Sequence, residues 1–140
     1  MSNIDYKRIS KEISYNALKK GNGSVWWLTK NSDTDNGFDM ISVEGNSREL
    51  IGVKATAYQD AFCITDTELM MMDTPRPNMK YIIHRYRFNE GEVVSFNMYS
   101  YDSNKNVLVD IIDNTNICTI ENGSKSEYIC TPKKIEKTLR

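Results

Sequence analysis

The sequence is poor in the residues that build metal centres and disulfide frameworks. It contains one histidine, His84, so a site with a pair of histidine ligands is excluded. Its three cysteines are odd in number and widely spaced, without a CxxC pair: Cys63, Cys118 and Cys130. This pattern argues against a disulfide framework and fits no structural zinc site. We expect three buried or half-buried thiols.

The sequence also lacks a long hydrophobic run and an excess of charge of either sign. No stretch of about 18 apolar residues occurs, so we expect no membrane contact. The polar start over residues 1–5 lacks the apolar core of a signal peptide, which predicts a cytoplasmic protein. With 18 Lys and Arg against 19 Asp and Glu, the net charge is −1. Bulk charge therefore does not attach the protein to nucleic acid, and any such contact needs a local basic patch.

The 140 residues fit one domain, expected as a monomer or homodimer, with a basic tail over residues 132–140. The tail contains Lys133 and Lys134, which are candidate contacts for nucleic-acid phosphates. A solvated, partly frayed chain end is the alternative interpretation of the same residues.

Hydrophobic periodicity predicts a helix followed by strands. Over residues 5–20 apolar residues recur at three- and four-residue spacing and form one stripe: Tyr6, Ile9, Ile13 and Ala17. Four lysines lie off this stripe: Lys7, Lys11, Lys19 and Lys20. Gly21-Asn22-Gly23 ends the helix, because glycine adopts the left-handed cap conformation.

The remaining elements predict an α/β (α+β) layer arrangement with the helix packed on a central sheet. A short second helix begins at Thr65, because Thr65 and Glu68 have the spacing of a capping box. The strands over 79–113 are expected to form an antiparallel meander. Extended segments are predicted over 24–30, 38–43, 48–56, 61–64, 79–88, 92–101, 106–113, 117–120 and 128–130.

Two charged residues stand inside otherwise apolar strands. Asp39 follows Gly37-Phe38, and Lys54 lies in the next strand of a predicted hairpin. Buried strands avoid unpaired charges because desolvation is costly. The two residues therefore either compensate each other as an ion pair or form a site.

Four segments in order resemble the family named for the C-terminal domain of the plant protein NO VEIN. Members carry Gly-Tyr-Asp, Ile-Glu-Val-Lys-Thr-Thr, Phe-x-Ile-Thr-x-x-Glu and a Tyr-rich strand. The matching segments here are Gly37-Phe38-Asp39, Ile51-Gly52-Val53-Lys54-Ala55-Thr56, Phe62-Cys63-Ile64-Thr65-Asp66-Thr67-Glu68 and Lys80-Tyr81-Ile82-Ile83-His84-Arg85-Tyr86.

The resemblance covers residues 5–90 and implies a PD-(D/E)xK restriction-endonuclease-like domain with a central mixed sheet. It implies a Mg²⁺-dependent phosphodiesterase site, often found in bacterial defence or mobile-element contexts. In that site Asp39 is the first metal ligand, Lys54 orients the attacking water or stabilises negative charge, and Glu12 is an outer acidic residue.

The sequence departs from this pattern at Gly52, where the family has glutamate. Glu49 points to the other face of its strand and cannot replace the missing carboxylate. One carboxylate binds Mg²⁺ weakly, so we expect cleavage to be lost or impaired. A carboxylate from Glu12, Glu68 or Asp60 is the alternative that would retain it.

The strand over residues 79–88 supplies further candidates. Arg85 and Arg87 share one face, where they are candidate phosphate contacts on an otherwise exposed sheet face. His84 lies on the opposite face with apolar neighbours, which favours a packed, hydrogen-bonded histidine. In the first strand Trp26 and Trp27 point to opposite faces, one into the core and one outward.

Three functions stay open at this point. The first is a nucleic-acid-binding domain of nuclease fold with a degenerate metal site. The second is an active Mg²⁺-dependent endonuclease with a displaced carboxylate. The third is a protein-binding module, such as an immunity or anti-defence factor. A basic face near Lys54, Arg85 and Arg87 would favour nucleic acid, whereas an apolar patch near Trp26 or Met70 would favour a protein partner.

Overall fold

Eleven elements follow one another in the computed structural model, which describes residues 4–22, 24–31 and 36–135, with the side chain of residue 22 left out. The helices are α1 (Tyr6–Asn22) and α2 (Asp66–Met72). The strands are β1 (Val25–Trp27), β2 (Met40–Glu44), β3 (Ser47–Ala57), β4 (Phe62–Thr65), β5 (Met79–Asn89), β6 (Glu92–Asp102), β7 (Val107–Asp110), β8 (Asn116–Asn122) and β9 (Glu127–Lys134). In these parts of the chain no helix is both long and apolar enough to cross a membrane.

All nine strands belong to one open mixed sheet, in the order β1-β2-β3-β5-β6-β7-β8-β9-β4. The predicted α+β class is confirmed, as is the antiparallel meander of β5, β6 and β7. Only the central pair, β3 and β5, is parallel among the described strands. A parallel pair needs a long crossover, and this crossover contains β4 and α2. The crossover therefore brings α2 close to the middle of the sheet.

Several strands differ in length from their predictions: β7 is shorter and β8 longer, and the changes in β1 and β9 alter the surroundings of predicted features. β1 ends at Trp27, and a turn begins at Leu28, whose amide donates to the carbonyl of Asp39 at 2.8 Å. β9 is longer than predicted and continues through Lys134, so residues 132–134 of the basic tail belong to the sheet. Residues 136–140 of that tail, and residues 32–35 of the polar loop before β2, lie outside the described residues.

The two faces of the sheet carry separate apolar cores. On one face, α1 packs against a cluster formed by residues such as Met40, Ile51 and Ile82. On the other, α2 and the curled strands β4 to β9 enclose a cluster that includes Leu50 and Ile83. The alternation along β3 and β5 therefore follows the predicted faces. Trp27 packs with the α1 core while Trp26 is 58% exposed, as the sequence predicts.

The cysteines are free thiols. Cys118 and Cys130 are buried, as expected, but Cys63 is exposed on β4. Burial raises the pKa of Cys118 to about 11 and that of Cys130 to about 12, so neither is a thiolate nucleophile at neutral pH.

The predicted apolar stripe of α1 is wrong in its second half. Ile13 and Ala17 are exposed, whereas Ser10, Lys11 and Ser14 are buried against the sheet. Small serine side chains let the helix approach the strands closely. Each hydroxyl is also satisfied there: that of Ser10 donates to the carbonyl of Tyr6 at 2.8 Å, and that of Ser14 contacts His84. Apolar periodicity does not detect serines that are buried on the sheet-facing side of a helix.

His84 is packed and hydrogen-bonded, as the sequence predicts. Its Nδ1 lies 2.9 Å from the hydroxyl of Ser14, and its ring contacts the edge of Phe96. The Ser14 hydroxyl also lies 2.7 Å from the hydroxyl of Tyr86. Burial lowers the pKa of His84 to about 4. The ring is therefore neutral at physiological pH.

This shift predicts a pH dependence of stability. Because the folded pKa of about 4 lies below the unfolded value of 6.5, the unfolded chain takes up the proton first as pH falls. The contribution of neutral His84 is complete above pH 6.5, declines between pH 6.5 and 4, and reaches a loss of about 3 kcal/mol below that window. We expect the difference between wild type and His84→Gln in urea-unfolding free energy to shrink across this window. A pH-independent difference would contradict it.

Candidate functional site

Asp39 lies immediately before β2 and not inside the strand, where the sequence predicts it, because β2 begins at Met40. Three donors converge on its carboxylate. Oδ2 accepts a hydrogen bond from the backbone amide of Val53 at 2.7 Å. Oδ1 accepts one from the hydroxyl of Thr29 at 2.8 Å and lies 3.1 Å from the ammonium of Lys11. The carboxylate thus connects β3, the turn after β1, and α1. Both of its oxygens are engaged by donors from the chain itself.

Gly37 positions this carboxylate at the start of the Gly-Phe-Asp motif. Its φ is +85°, a conformation that favours glycine. A β-carbon there would lie 2.6 Å from Cγ of Met71 and 3.2 Å from the carbonyl oxygen of Thr67. The motif therefore needs glycine both for its turn and for its close approach to α2.

Lys54 pairs with α2 rather than with Asp39. Its ammonium lies 2.7 Å from Oε1 of Glu68, which also accepts a hydrogen bond from the backbone amide of Thr65 at 2.8 Å. The amide of Glu68 donates in return to the Thr65 hydroxyl at 3.1 Å, which confirms the capping box. The hypothesis that Asp39 and Lys54 compensate each other is therefore wrong. Lys54 projects from the β3 face that α2 covers, so Glu68 of α2 is its ion-pair partner.

These residues line a pocket of about 170 Å³, hereafter the Asp39 pocket. It brings Asp39 and Lys54 together with Lys11 and Glu68. The full lining is Lys7, Lys11, Thr29, Asn36, Phe38, Asp39, Val53, Lys54, Thr65 and Glu68. An adjoining depression of about 280 Å³, hereafter the basic groove, shares three of these residues and is lined by Asp5, Lys7, Arg8, Lys11, Thr29, Lys30 and Asn31.

Gly52 is buried behind the Asp39 pocket, and Tyr81 fills the space beside it. A β-carbon at Gly52 would lie 2.6 Å from the Tyr81 hydroxyl oxygen. That hydroxyl donates a hydrogen bond to the carbonyl of Gly37, two residues before Asp39. The position where the family has a glutamate side chain is thus occupied by a phenol that is anchored to the motif backbone.

The other carboxylates considered from sequence lie elsewhere or are already paired. Glu12 is about half exposed on α1, pairs with Arg8 at 3.1 Å, and does not line the Asp39 pocket. Asp60 is exposed and pairs with Arg87 at 3.1 Å. Of the three alternatives, only Glu68 lines the Asp39 pocket, where it is bound to Lys54.

The candidate phosphate contacts on β5 and β9 lie outside the Asp39 pocket. Arg85 is 2% exposed, and its guanidinium donates to the carbonyl of Asp60 at 2.6 Å and to the hydroxyl of Thr56 at 3.2 Å. The expected exposed sheet face is wrong at this position, because residues 59–62, which lead into β4, cover the Arg85 guanidinium. Lys133 and Lys134 are exposed on β9 and line neither the Asp39 pocket nor the basic groove.

The described residues around Asp39 do not fit a Mg²⁺ site. This ion needs hard oxygen ligands in near-octahedral geometry. Both oxygens of Asp39 already accept from donors, and one of those donors is an ammonium. Among the described residues, no group of three or more His, Cys, Asp or Glu side chains is placed to hold a metal. Gly52 supplies no second ligand.

The fold and the site define an α+β domain with a helix on a nine-strand mixed sheet and an Asp–Lys pocket beside its parallel pair. A family model described as Protein NO VEIN, C-terminal, matches residues 8–94, which is more than half of the chain. The chain belongs to this family, and the resemblance predicted from the sequence is confirmed. The match runs from α1 into β6 and contains most of the Asp39 pocket. No curated protein matches the chain.

Proposed function

We propose that this chain is a nucleic-acid-binding domain on a nuclease-type scaffold that has lost metal-dependent cleavage. The observation that carries the proposal is a local excess of positive charge. Among the described residues, the linings of the Asp39 pocket and the basic groove contain five basic side chains (Lys7, Arg8, Lys11, Lys30 and Lys54) against three acidic ones (Asp5, Asp39 and Glu68). The excess is two in the linings, and one when Glu12, which pairs with Arg8 at 3.1 Å from outside them, is counted. It lies on a chain whose net charge is −1. A phosphate backbone is attracted by such a patch.

Internal contacts order the groove before any ligand binds. The guanidinium of Arg8 lies 4.8 Å from the ring centroid of Trp27 and donates to the carbonyl of Lys30 at 2.7 Å. The ammonium of Lys30 lies 5.8 Å from the same ring. Side chains that are already held lose less conformational entropy on binding. These contacts support a groove prepared for phosphates.

The proposed loss of cleavage follows from the small number of carboxylates that are placed to bind a metal ion. Hydrolysis by two carboxylates and a metal needs the second ligand that Gly52 does not supply, and Asp39 is already paired with Lys11. The alternative of an active endonuclease through Glu68 would place a metal ion on a carboxylate whose Oε1 already lies 2.7 Å from the Lys54 ammonium and accepts the capping-box hydrogen bond from the Thr65 amide. We therefore favour binding without hydrolysis.

The protein-binding alternative is supported by two exposed apolar side chains, Trp26 at 58% and Met70 at 70%. They lie on β1 and α2, apart from the residues of the basic groove. If the protein binds a partner protein through those elements, charge changes in the basic groove should not alter its binding properties.

The proposal is tested by fluorescence anisotropy with labelled single- and double-stranded DNA and RNA. Reversing two groove charges, in Lys7→Glu/Lys30→Glu, is expected to weaken binding at least about tenfold and to reduce the salt dependence by about one unit per lost phosphate contact. The matched control Lys105→Glu/Lys125→Glu changes net charge equally, at exposed lysines that line neither the pocket nor the groove. It is expected to retain most of the affinity.

If both double variants lose nucleic-acid affinity equally, the loss reflects the change in net charge, and the assignment of binding to the groove is contradicted. Absence of binding to every nucleic acid would contradict the proposed function and favour a protein partner. The same samples, incubated with plasmid and Mg²⁺ or Mn²⁺, are expected to give no cleavage product. Cleavage by the wild type that is lost in Lys54→Ala would instead support a displaced carboxylate.

A further inference from the structure

We infer that Lys11 is a built-in cation of the Asp39 pocket, which takes the place of a metal ion and lets the pocket hold a phosphate group without one. The inference rests on the proposed function for the identity of the ligand. The replacement of the metal rests on geometry alone and is tested separately.

The geometry around Asp39 is that of an occupied cation position. The Lys11 ammonium lies 3.1 Å from Oδ1 of Asp39 and 3.1 Å from the Thr29 hydroxyl oxygen, and that hydroxyl donates to the same Oδ1 at 2.8 Å. The remaining oxygen, Oδ2, accepts from the amide of Val53. A divalent ion could reach Oδ1 of Asp39 only by displacing the ammonium of Lys11, whose side chain is 6% exposed.

Burial fixes the ammonium in place. A lysine so far removed from water requires a partner, because desolvation of an unpaired charge is unfavourable. Asp39 and Thr29 provide that partner, and Lys11 reaches them from the sheet-facing side of α1, where Ser10 and Ser14 are also buried. The charge is thus part of the fold rather than a mobile surface group.

The pocket retains unused positive charge after these pairs form. Lys7, Lys11 and Lys54 face two carboxylates, Asp39 and Glu68, which leaves one net positive charge in the pocket. A phosphodiester carries one negative charge. An ammonium has three N–H donors; the Lys11 ammonium uses two of them on Thr29 and Asp39. The volume of about 170 Å³ corresponds to roughly six water molecules at about 30 Å³ each, which admits one phosphate group.

The replacement of the metal is tested by Mn²⁺ titration followed by electron paramagnetic resonance. Wild type and Asp39→Asn are expected to give the same signal of free Mn²⁺, because Asp39 takes up no metal in the wild type. Lys11→Met is expected to bind Mn²⁺, and Lys11→Met/Asp39→Asn to lose that binding. Uptake by the wild type that disappears in Asp39→Asn would overturn the inference.

The test does not depend on the folding of Lys11→Met. If that variant fails to fold, the comparison of wild type with Asp39→Asn and with the neutral pair Lys11→Met/Asp39→Asn still decides whether Asp39 binds metal. Circular dichroism spectra of each protein establish which variants enter the comparison.

Nucleic-acid affinity gives a second, independent readout. Wild-type affinity is expected to be the same in EDTA and in Mg²⁺ at constant ionic strength, and Lys11→Met/Asp39→Asn is expected to bind several-fold more weakly. Binding that requires Mg²⁺ would overturn the inference while leaving the proposed function intact. Absence of binding under both conditions would defeat the proposed function and, with it, the assignment of the ligand, while the Mn²⁺ titration would still decide the role of Lys11.

Discussion

Replacing Lys11 by methionine is expected to lower the free energy of unfolding by about 3 kcal/mol, because it leaves Asp39 buried without its charged partner. The side chains of Lys11 and Asp39 are only 6% and 14% exposed, so water screens this pair weakly. Methionine keeps most of the apolar stem of lysine, so the loss reports the missing charge rather than a cavity. Urea unfolding followed by tryptophan fluorescence measures the effect.

The neutral pair Lys11→Met/Asp39→Asn is expected to recover a large part of that loss, because no charge then remains buried alone. The matched control is Lys7→Met, an exposed lysine on the same helix, which is expected to change stability by less than about 0.5 kcal/mol. If Lys11→Met lowers the free energy of unfolding no more than Lys7→Met does, water reaches Asp39 freely. Failure of the neutral pair to recover stability would place the effect in packing instead of charge.

Much of the fold follows from local pattern, and most of the predicted elements recur in the structure. The hairpin of β2 and β3, the capping box of Thr65 and Glu68, and the alternation along β5 all depend on residues close in sequence. Such features are fixed by turn chemistry and side-chain alternation, which the sequence displays directly. The family motifs add Asp39 and Lys54, and both do line one pocket.

Local sequence patterns do not predict which residues of the site contact one another. Lys11 looks like a solvated helix lysine, and its partner Asp39 is 28 positions away across a helix–sheet interface. Tyr81 looks like an ordinary strand aromatic, yet its hydroxyl reaches Gly37, 44 positions away. The alternation along β5 predicts an open face at Arg85, because it carries no trace of residues 59–62, which cover that side chain. Each of these three contacts joins segments that are distant in sequence, so it depends on tertiary packing that the local sequence does not display.

The contact between Gly52 and Tyr81 carries the second large effect. Gly52→Ala is expected to lower stability by about 1–3 kcal/mol through overpacking, since the new methyl group would lie 2.6 Å from the Tyr81 hydroxyl. In the Tyr81→Phe background that oxygen is absent, and the nearest ring carbons lie 3.4 Å away. The cost of alanine should therefore shrink or vanish there. A double-mutant cycle by urea unfolding measures this coupling, and additive effects would contradict it.

The same contact sets the expected outcome of restoring the family's glutamate. In Gly52→Glu the carboxylate would enter space that the Tyr81 phenol fills, while Lys11 still neutralises Asp39, so plasmid cleavage in Mg²⁺ is expected to stay absent. A metal site that supports cleavage needs three changes together: Gly52→Glu for the second ligand, Tyr81→Phe for room, and Lys11→Met to free Asp39, which on its own gives a single-carboxylate ion site. Cleavage by Gly52→Glu alone would mean that the phenol moves aside and that the ammonium yields to a metal. The loss of the glutamate would then be a single reversible step, and Lys11 and Tyr81 would not be part of a site rebuilt without metal.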